Sequence, residues 1–265
     1  MTTTVELTRE GRVGRVKLRS EKGIQTLTSD TRQQLSNVLD ELEKAEGLQV
    51  IVFEAEGRSF IAGADLNELK ALDHRTAWTF ARTGQKLMER IELLPATTIA
   101  AVHAACAGGG CELALACDMR LGAKATRIGL PEVSLGLLPG WGGTVRATRL
   151  FGGAVARRMI LAADLLPAEE AHRLGVIDAV FEDDKFREGV QARVDLLLSR
   201  APQAQQTSKA LVQSFECRPG LARRQFRREA RRFAACFRTN EPTEGLSAFL
   251  EKRAPQWGKN ETEKT

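Results

Sequence analysis

Apolar and polar positions change period several times along the chain, and each change marks an element. Residues 5–8 and 13–18 read as two short strands separated by a Glu10-Gly11 turn. Over residues 30–44, Leu35, Val38, Leu39 and Leu42 recur at three- and four-residue spacing, which predicts a helix with one apolar face. Residues 50–53 are short and wholly apolar, as expected of a strand buried on both faces. Residues 99–102 form a second such run, after a helical stretch over 76–94 and Pro95. Beyond a run of three glycines, residues 112–117 read as helix and 119–121 as strand. Residues 142–150 and 153–161 read as consecutive helices.

Pro167 suits the first turn of a further helix, with Glu169 and Glu170 near its positive end. Residues 177–181 read as the last strand. From Asp184 onward the pattern is helical, interrupted at Pro202, Pro219 and Pro242. The prediction is an α/β core over residues 1–200 followed by a helical region over 201–265, with no repeat at a fixed period. Residues 97–117 are long and apolar enough to raise the question of a membrane span. Gly108, Gly109, Gly110 and Glu112 in their midst point instead to a buried strand, a glycine turn and a buried helix.

Composition changes this picture little. The chain has 265 residues, 43% hydrophobic and 28% charged, an ordinary globular balance that leaves disorder to the polar tail 258–265. A net charge of +5 helps attract anionic partners without choosing among them. Five cysteines and a first ten residues with no apolar run favour a reducing, cytoplasmic setting without disulfides.

Three segments carry candidate chemistry. In Phe60-Ile61-Ala62-Gly63-Ala64-Asp65-Leu66, small residues let backbone approach a ligand, and Asp65 is placed to start a helix. The same pattern also fits a tight turn before a surface helix. In Ala107-Gly108-Gly109-Gly110-Cys111-Glu112, glycines that end a buried strand and open a helix can aim free N–H groups at an anionic oxygen. Neither a P-loop lysine nor the dinucleotide-binding spacing is present. Glu112 lies among apolar and small residues, so its carboxylate must be paired, hydrogen-bonded or functional. Glu132, in Gly129-Leu130-Pro131-Glu132-Val133, is a second carboxylate in an apolar run, followed by Gly136 to Gly143. Two such carboxylates in different environments can supply one acid and one base.

These three segments, in this order and spacing, resemble the enoyl-CoA hydratase/isomerase (crotonase) family. The likeness extends from about Leu27 to Trp257 and includes Glu244-Gly245-Leu246-Ser247-Ala248-Phe249-Leu250-Glu251-Lys252-Arg253. The resemblance implies a spiral of ββα units with C-terminal helices that assemble homotrimers or homohexamers. It also implies a lyase that hydrates 2-enoyl-CoA thioesters to 3-hydroxyacyl-CoA. The backbone N–H groups of Ala64 and Gly109 match the family's oxyanion hole. Glu112 and Glu132 match its two glutamates, with Glu112 assigned as base and Glu132 as acid. Gly140 matches a position that helps hold the water. Ala62, Asp65, Leu66, Phe233 and Lys252 match positions that contact coenzyme A, and Lys252 is expected to reach a neighbouring subunit.

No metal and no cofactor beyond the substrate's own coenzyme A is implied. Gln25-Thr26-Leu27 departs from the family's usual Asn-Ala-Leu, and Trp141 replaces a smaller or different aromatic residue; if Trp141 faces the acyl pocket, it shortens the chains admitted. A Δ3,Δ2-enoyl-CoA isomerase usually keeps only the carboxylate matching Glu132, so Glu112 favours the hydratase. A specialised relative acting on a carrier-protein-bound acyl group is a further alternative.

Other features read as structural. His74, His103 and His172 lack the company of a nucleophile elbow, and His103, Cys106, Cys111 and Cys117 fit no common zinc spacing. Arginines 223, 224, 227, 228, 231 and 232 lie on one half of a helix, with Ala222, Phe226, Ala230 and Phe233 opposite. That face fits a solvated surface, attraction of coenzyme A phosphates, an acyl carrier protein, or, as a reading of another class, an RNA-binding scaffold.

Overall fold

The structure, a computed structural model, describes residues 3–216 and 219–257. The polar tail 258–265, to which disorder was assigned, and the Arg223 and Ala222 side chains lie outside the described part. The chain opens with strands β1 (Thr3–Glu10) and β2 (Val13–Ser20), helix α1 (Ser29–Lys44), then β3 (Val50–Ala55), β4 (Ser59–Ile61), α2 (Leu66–Lys70) and α3 (His74–Leu93). There follow β5 (Thr97–Val102), β6 (Ala105–Ala107), α4 (Gly109–Ala116), β7 (Met119–Ala123), β8 (Arg127–Gly129), a 3-10 turn over Glu132–Leu135, and α5 (Gly143–Leu161). The remainder is β9 (Leu166–Pro167), α6 (Ala168–Arg173), β10 (Ala179–Phe181), α7 (Phe186–Leu198), α8 (Pro202–Glu216), α9 (Pro219–Cys236) and α10 (Glu241–Leu250).

Two sheets share these strands. One has the order β1-β2-β3-β5-β7-β10 and the other β4-β6-β8-β9. Three times in succession the chain lays a strand in the first sheet, a strand in the second and then helix: β3 and β4, β5 and β6, β7 and β8. This is the spiral of ββα units. Its units begin at Val50, Thr97 and Met119, so they differ in length and leave no fixed sequence period.

Within β3 the pleat explains the wholly apolar run. Ile51 and Phe53 face the main core with Leu35, Leu39 and Leu42 of α1, whereas Val50 and Val52 face a second cluster with Val190 and Val194 of α7. The break between the two helices expected over 142–161 falls at Gly152, whose φ of 77° and ψ of 165° kink α5. Pro202 and Pro219 begin helices rather than interrupt them, and Pro242 sits in the first turn of α10, where its missing N–H costs no hydrogen bond.

The C-terminal helices fold back on the core. A third apolar cluster joins Ala77 and Ala81 of α3 to Ala230, Phe233 and Ala234 of α9 and Leu246 of α10. Among the described residues no helix is long and apolar enough to cross a membrane. The stretch 97–117 is divided between β5, β6 and α4, as its glycines require.

Candidate active site

The segment Gln25–Leu27 anchors the first glycine-containing loop despite its unusual residues. The Ala62 N–H donates to the Gln25 carbonyl and the Leu27 N–H to the Gly63 carbonyl, both at 2.8 Å. Asp65 then caps α2, its Oδ1 accepting from the N–H groups of Asn67 and Glu68 at 2.9 and 3.1 Å. The second loop turns at Gly108, whose φ of +51° suits glycine; a Cβ there would also lie 3.2 Å from Glu132 Oε1. This turn starts α4 at Gly109, so the Gly109 N–H stands at a helix N-terminus. Neither it nor the Ala64 N–H donates to a backbone carbonyl among the described residues.

One cavity of about 80 Å³ gathers the walls of this region. Of the residues singled out from the sequence, Ala62, Ala64, Leu66, Gly109, Glu112, Glu132, Gly140, Trp141 and Phe233 line it. Asp65 and Lys252 do not: the Asp65 side chain is engaged as a cap, and Lys252 is exposed just beyond α10. Phe233 is buried against Phe80, with ring centroids 6.0 Å apart, and so forms an inner wall of the cavity.

Glu112 comes from α4 and is 2% exposed. Its Oε1 accepts two N–H groups, from Trp141 at 2.7 Å and Gly143 at 2.8 Å, at the N-terminal end of α5. Burial, and then the charges of Glu132 and Glu229, push its carboxyl well above the usual range, while the Gly143 and Trp141 N–H groups pull the other way. Glu132 opens the 3-10 turn, and its Oε2 is buried without a hydrogen-bond partner. Burial raises its pKa to about 8, opposed by its own backbone N–H and reinforced by Glu229. Two buried carboxyls that repel each other hold a proton between them, and that proton belongs to the pair.

A stability consequence follows. The Glu132 carboxyl titrates at about 8 in the folded chain against an ordinary value of 4.5, so between those values the folded chain binds the extra proton. Its contribution to stability is full at low pH and is lost as pH rises through this window. Glu132→Gln, which stays neutral, should therefore show a Tm advantage over wild type that widens from pH 5 to pH 8. A constant difference in thermal unfolding across that range would refute the raised titration.

Trp141 is 2% exposed and wedged among small and aromatic neighbours. Its ring occupies the space where Cβ atoms on Gly84 and Gly109 would stand, 2.1 and 2.4 Å away. The Phe80 ring lies 5.2 Å from it, and the Arg32 guanidinium 5.5 Å over its face.

The sequence reading overlooked Glu229, Gln85 and Arg146. Glu229 is 5% exposed, and its carboxylate reaches the same α5 turn that Glu112 holds. Its signal was spacing: it falls three residues after Phe226 and four before Phe233, an acidic residue on the apolar face of α9. Arg146, wholly buried, donates to Glu92 at 2.8 and 3.0 Å and to the Trp141 carbonyl at 3.0 Å.

His103 Nε2 and His172 Nδ1 each bond a backbone carbonyl at 2.9 Å, and among the described residues no His/Cys/Asp/Glu group is arranged to hold a metal. Arginines 224, 227, 228, 231 and 232 border an open groove of about 1190 Å³ with His74 and Trp78, on the side of α9 away from buried Phe226, Ala230 and Phe233.

The enoyl-CoA hydratase/isomerase family profile matches residues 8–260. A short-chain-enoyl-CoA hydratase of Clostridium acetobutylicum is 36% identical over 258 residues, covering 97% of this chain and 98% of its own. A crotonyl-CoA hydratase of Syntrophomonas wolfei is 34% identical over 248 residues, covering 93% and 95%. An enoyl-CoA hydratase structure from Mycobacterium avium subsp. paratuberculosis superimposes with a TM-score of 0.86 over 96% of this chain and 98% of that one, at 24% identity, a likeness of fold.

Proposed function

The chain belongs to the enoyl-CoA hydratase/isomerase family, and from that membership we propose that it adds water across the 2,3 double bond of a short 2-enoyl-CoA thioester. The observation that carries this reading is the convergence of two buried carboxyls and two uncommitted backbone N–H groups on one small cavity. The thioester oxygen accepts from the Ala64 and Gly109 N–H groups, which stabilise the negative charge that builds there as the bond is polarised. Such donors contribute roughly 3 kcal/mol each. Water lies between the carboxyls. Glu112 takes its proton as the water oxygen attacks C3, and Glu132 delivers a proton to C2, giving the 3-hydroxyacyl thioester. Both N–H bonds to Glu112 land on Oε1, which leaves Oε2 for the water. Gly140 lines the cavity beside them, consistent with a part in holding the water.

Coenzyme A leaves the cavity past Ala62 and Leu66. The exposed Lys252 serves the phosphate end of a ligand in a neighbouring subunit, within a homotrimer or a hexamer of two trimers. Leu211 and Val212 of α8, Phe249 of α10 and Trp257 are exposed apolar side chains that such an assembly would cover. Neither relative named above points to RNA or to an acyl carrier protein. The test is hydration of crotonyl-CoA, followed by loss of the enoyl-thioester absorbance. Turnover supports the reading; inactivity on crotonyl-CoA and on longer enoyl-CoAs would overturn it.

Chain length follows from Trp141. A cavity of about 80 Å³ is far below the roughly 300–1,000 Å³ of pockets that take drug-sized ligands, which suits a short acyl chain. Trp141→Leu should raise kcat/KM for an eight-carbon enoyl-CoA relative to crotonyl-CoA by roughly 10-fold, the scale of one or two methylenes in an apolar pocket. An unchanged ratio would show that the indole does not limit the chain.

A further inference from the structure

We propose that Glu229 is a positioning residue for the hydration reaction. By holding the Gly142 and Thr144 N–H groups, it keeps the alternate N–H groups, of Trp141 and Gly143, aimed at Glu112. The proposal rests on the hydratase reading above.

The geometry is an alternation along one turn. The Trp141 and Gly143 N–H groups donate to Glu112 Oε1 at 2.7 and 2.8 Å. The Gly142 N–H donates to Glu229 Oε1 at 2.7 Å, and the Thr144 N–H to Glu229 Oε2 at 3.1 Å. The Gly142, Gly143 and Thr144 N–H groups are donors that the start of a helix leaves without intrahelical partners, and Trp141 immediately precedes them, so two carboxyl groups share the N-terminus of α5. The Thr144 hydroxyl also bonds Glu229 Oε2, and Gln85 Nε2 lies 3.0 Å from Glu229 Oε1. The same Nε2 lies 3.1 Å from the Gly140 carbonyl and 2.9 Å from the Phe226 carbonyl. Gln85 thus ties α3, α9 and the turn together.

Burial raises the Glu229 carboxyl above the ordinary range, while its hydrogen bonds with the Thr144 hydroxyl, Gln85 and the Gly142 N–H, and the Arg146 charge, favour the anion. Without Glu229, the Gly142 and Thr144 N–H groups would be buried with no acceptor, and the turn would rotate to find one. That rotation would carry the Trp141 and Gly143 N–H groups off Glu112. A displacement of even about 1 Å in such a constellation can cost about 100-fold in rate. The arrangement also makes the site depend on the docking of α9, a C-terminal element remote in sequence from both glycine loops.

The groups facing Glu229 are Gln85 from α3, Glu112 from α4, Thr144 and Arg146 from α5, and Glu132 from the 3-10 turn. Its negative charge raises the proton affinity of Glu112, so its removal should move the acidic limb of the kcat/KM profile, which reports the base, to lower pH.

The experiment compares wild type, Glu229→Gln, Glu229→Asp and Thr144→Val on crotonyl-CoA. Glu229→Gln should lower kcat roughly 10- to 100-fold with KM changed by less than about threefold, and shift the acidic limb downward. Glu229→Asp should recover part of the rate, and Thr144→Val should show a smaller loss of the same kind. A wild-type kcat and pH profile in Glu229→Gln, or a loss borne by KM alone, would overturn the proposal. Should Glu229→Gln fail to fold, Thr144→Val decides by the same criteria. If wild type hydrates no enoyl-CoA, the functional reading falls, and a crystal structure of Glu229→Gln tests the positioning by itself. Glu112 still bonded to both Trp141 and Gly143 N–H groups overturns it; loss of those bonds supports it.

Discussion

Glu112→Gln and Glu132→Gln should each lower kcat for crotonyl-CoA hydration by about 10²- to 10⁴-fold, the range for loss of a positioned acid or base. The amide keeps the size of the side chain and one acceptor oxygen. At Glu112 that oxygen can still take the Trp141 and Gly143 N–H groups, so the turn is retained while the proton acceptor is lost. At Glu132 the buried Oε2 has no hydrogen-bond partner, and under the proposed mechanism it is the atom that carries a proton to C2. KM should change little, since neither change removes an N–H from the thioester oxygen. The double variant should lose little more than the worse single one, because the two groups act on one water. Steady-state rates on crotonyl-CoA check all three expectations. A Glu112→Gln enzyme that hydrates normally would reduce Glu112 to an anchor of the turn and leave the proton transfers of hydration to Glu132.

Arg146→Met should destabilise the fold by about 3–5 kcal/mol, the cost of breaking a buried ion pair from one side. Arg146 is wholly buried and lies 2.8 Å from Glu92. Burial by itself would raise the Glu92 carboxyl, but Arg146 and Arg149 outweigh it and hold the pKa below the ordinary value. A depressed carboxyl contributes stability at neutral pH that is lost as pH falls through the folded value, so part of the wild-type advantage should fade in acid. Methionine fills most of the volume but leaves Glu92 with less positive charge and the Trp141 carbonyl without its donor. For a chain of this size the Tm should fall by roughly 6–20 °C. Calorimetry at neutral pH checks the shift; a fall of under about 2 °C would show that Arg149 compensates.

Much of the fold was legible because its signals are local. The spacing of Leu35, Val38, Leu39 and Leu42 is the apolar face of α1, and the unbroken run from Val50 to Phe53 is a strand buried on both faces. The second sheet was not legible. Its strands β4, β6 and β8 are three residues each, too short to show a period, and they exist because they pair with one another.

The candidate site divides along the same line. Glu112 and Glu132 stand out in the sequence because a carboxylate among apolar neighbours has a desolvation cost that something must offset. By itself the sequence determined those two buried carboxylates, the glycine turns that free backbone N–H groups, and the helices and long strands around them. Tertiary structure alone decided that both carboxylates open on one cavity, that Trp141 rather than a small residue closes it, and that Glu229 shares the α5 turn with Glu112. Glu229 shares the apolar face of α9 with Phe226 and Phe233, but in a helix crowded with arginines one more charged residue draws no notice. Local pattern records which face of an element is buried. It does not record which other element buries it, and here the docking of α9 against α3 and α5 brought Glu229 onto the turn that Glu112 holds.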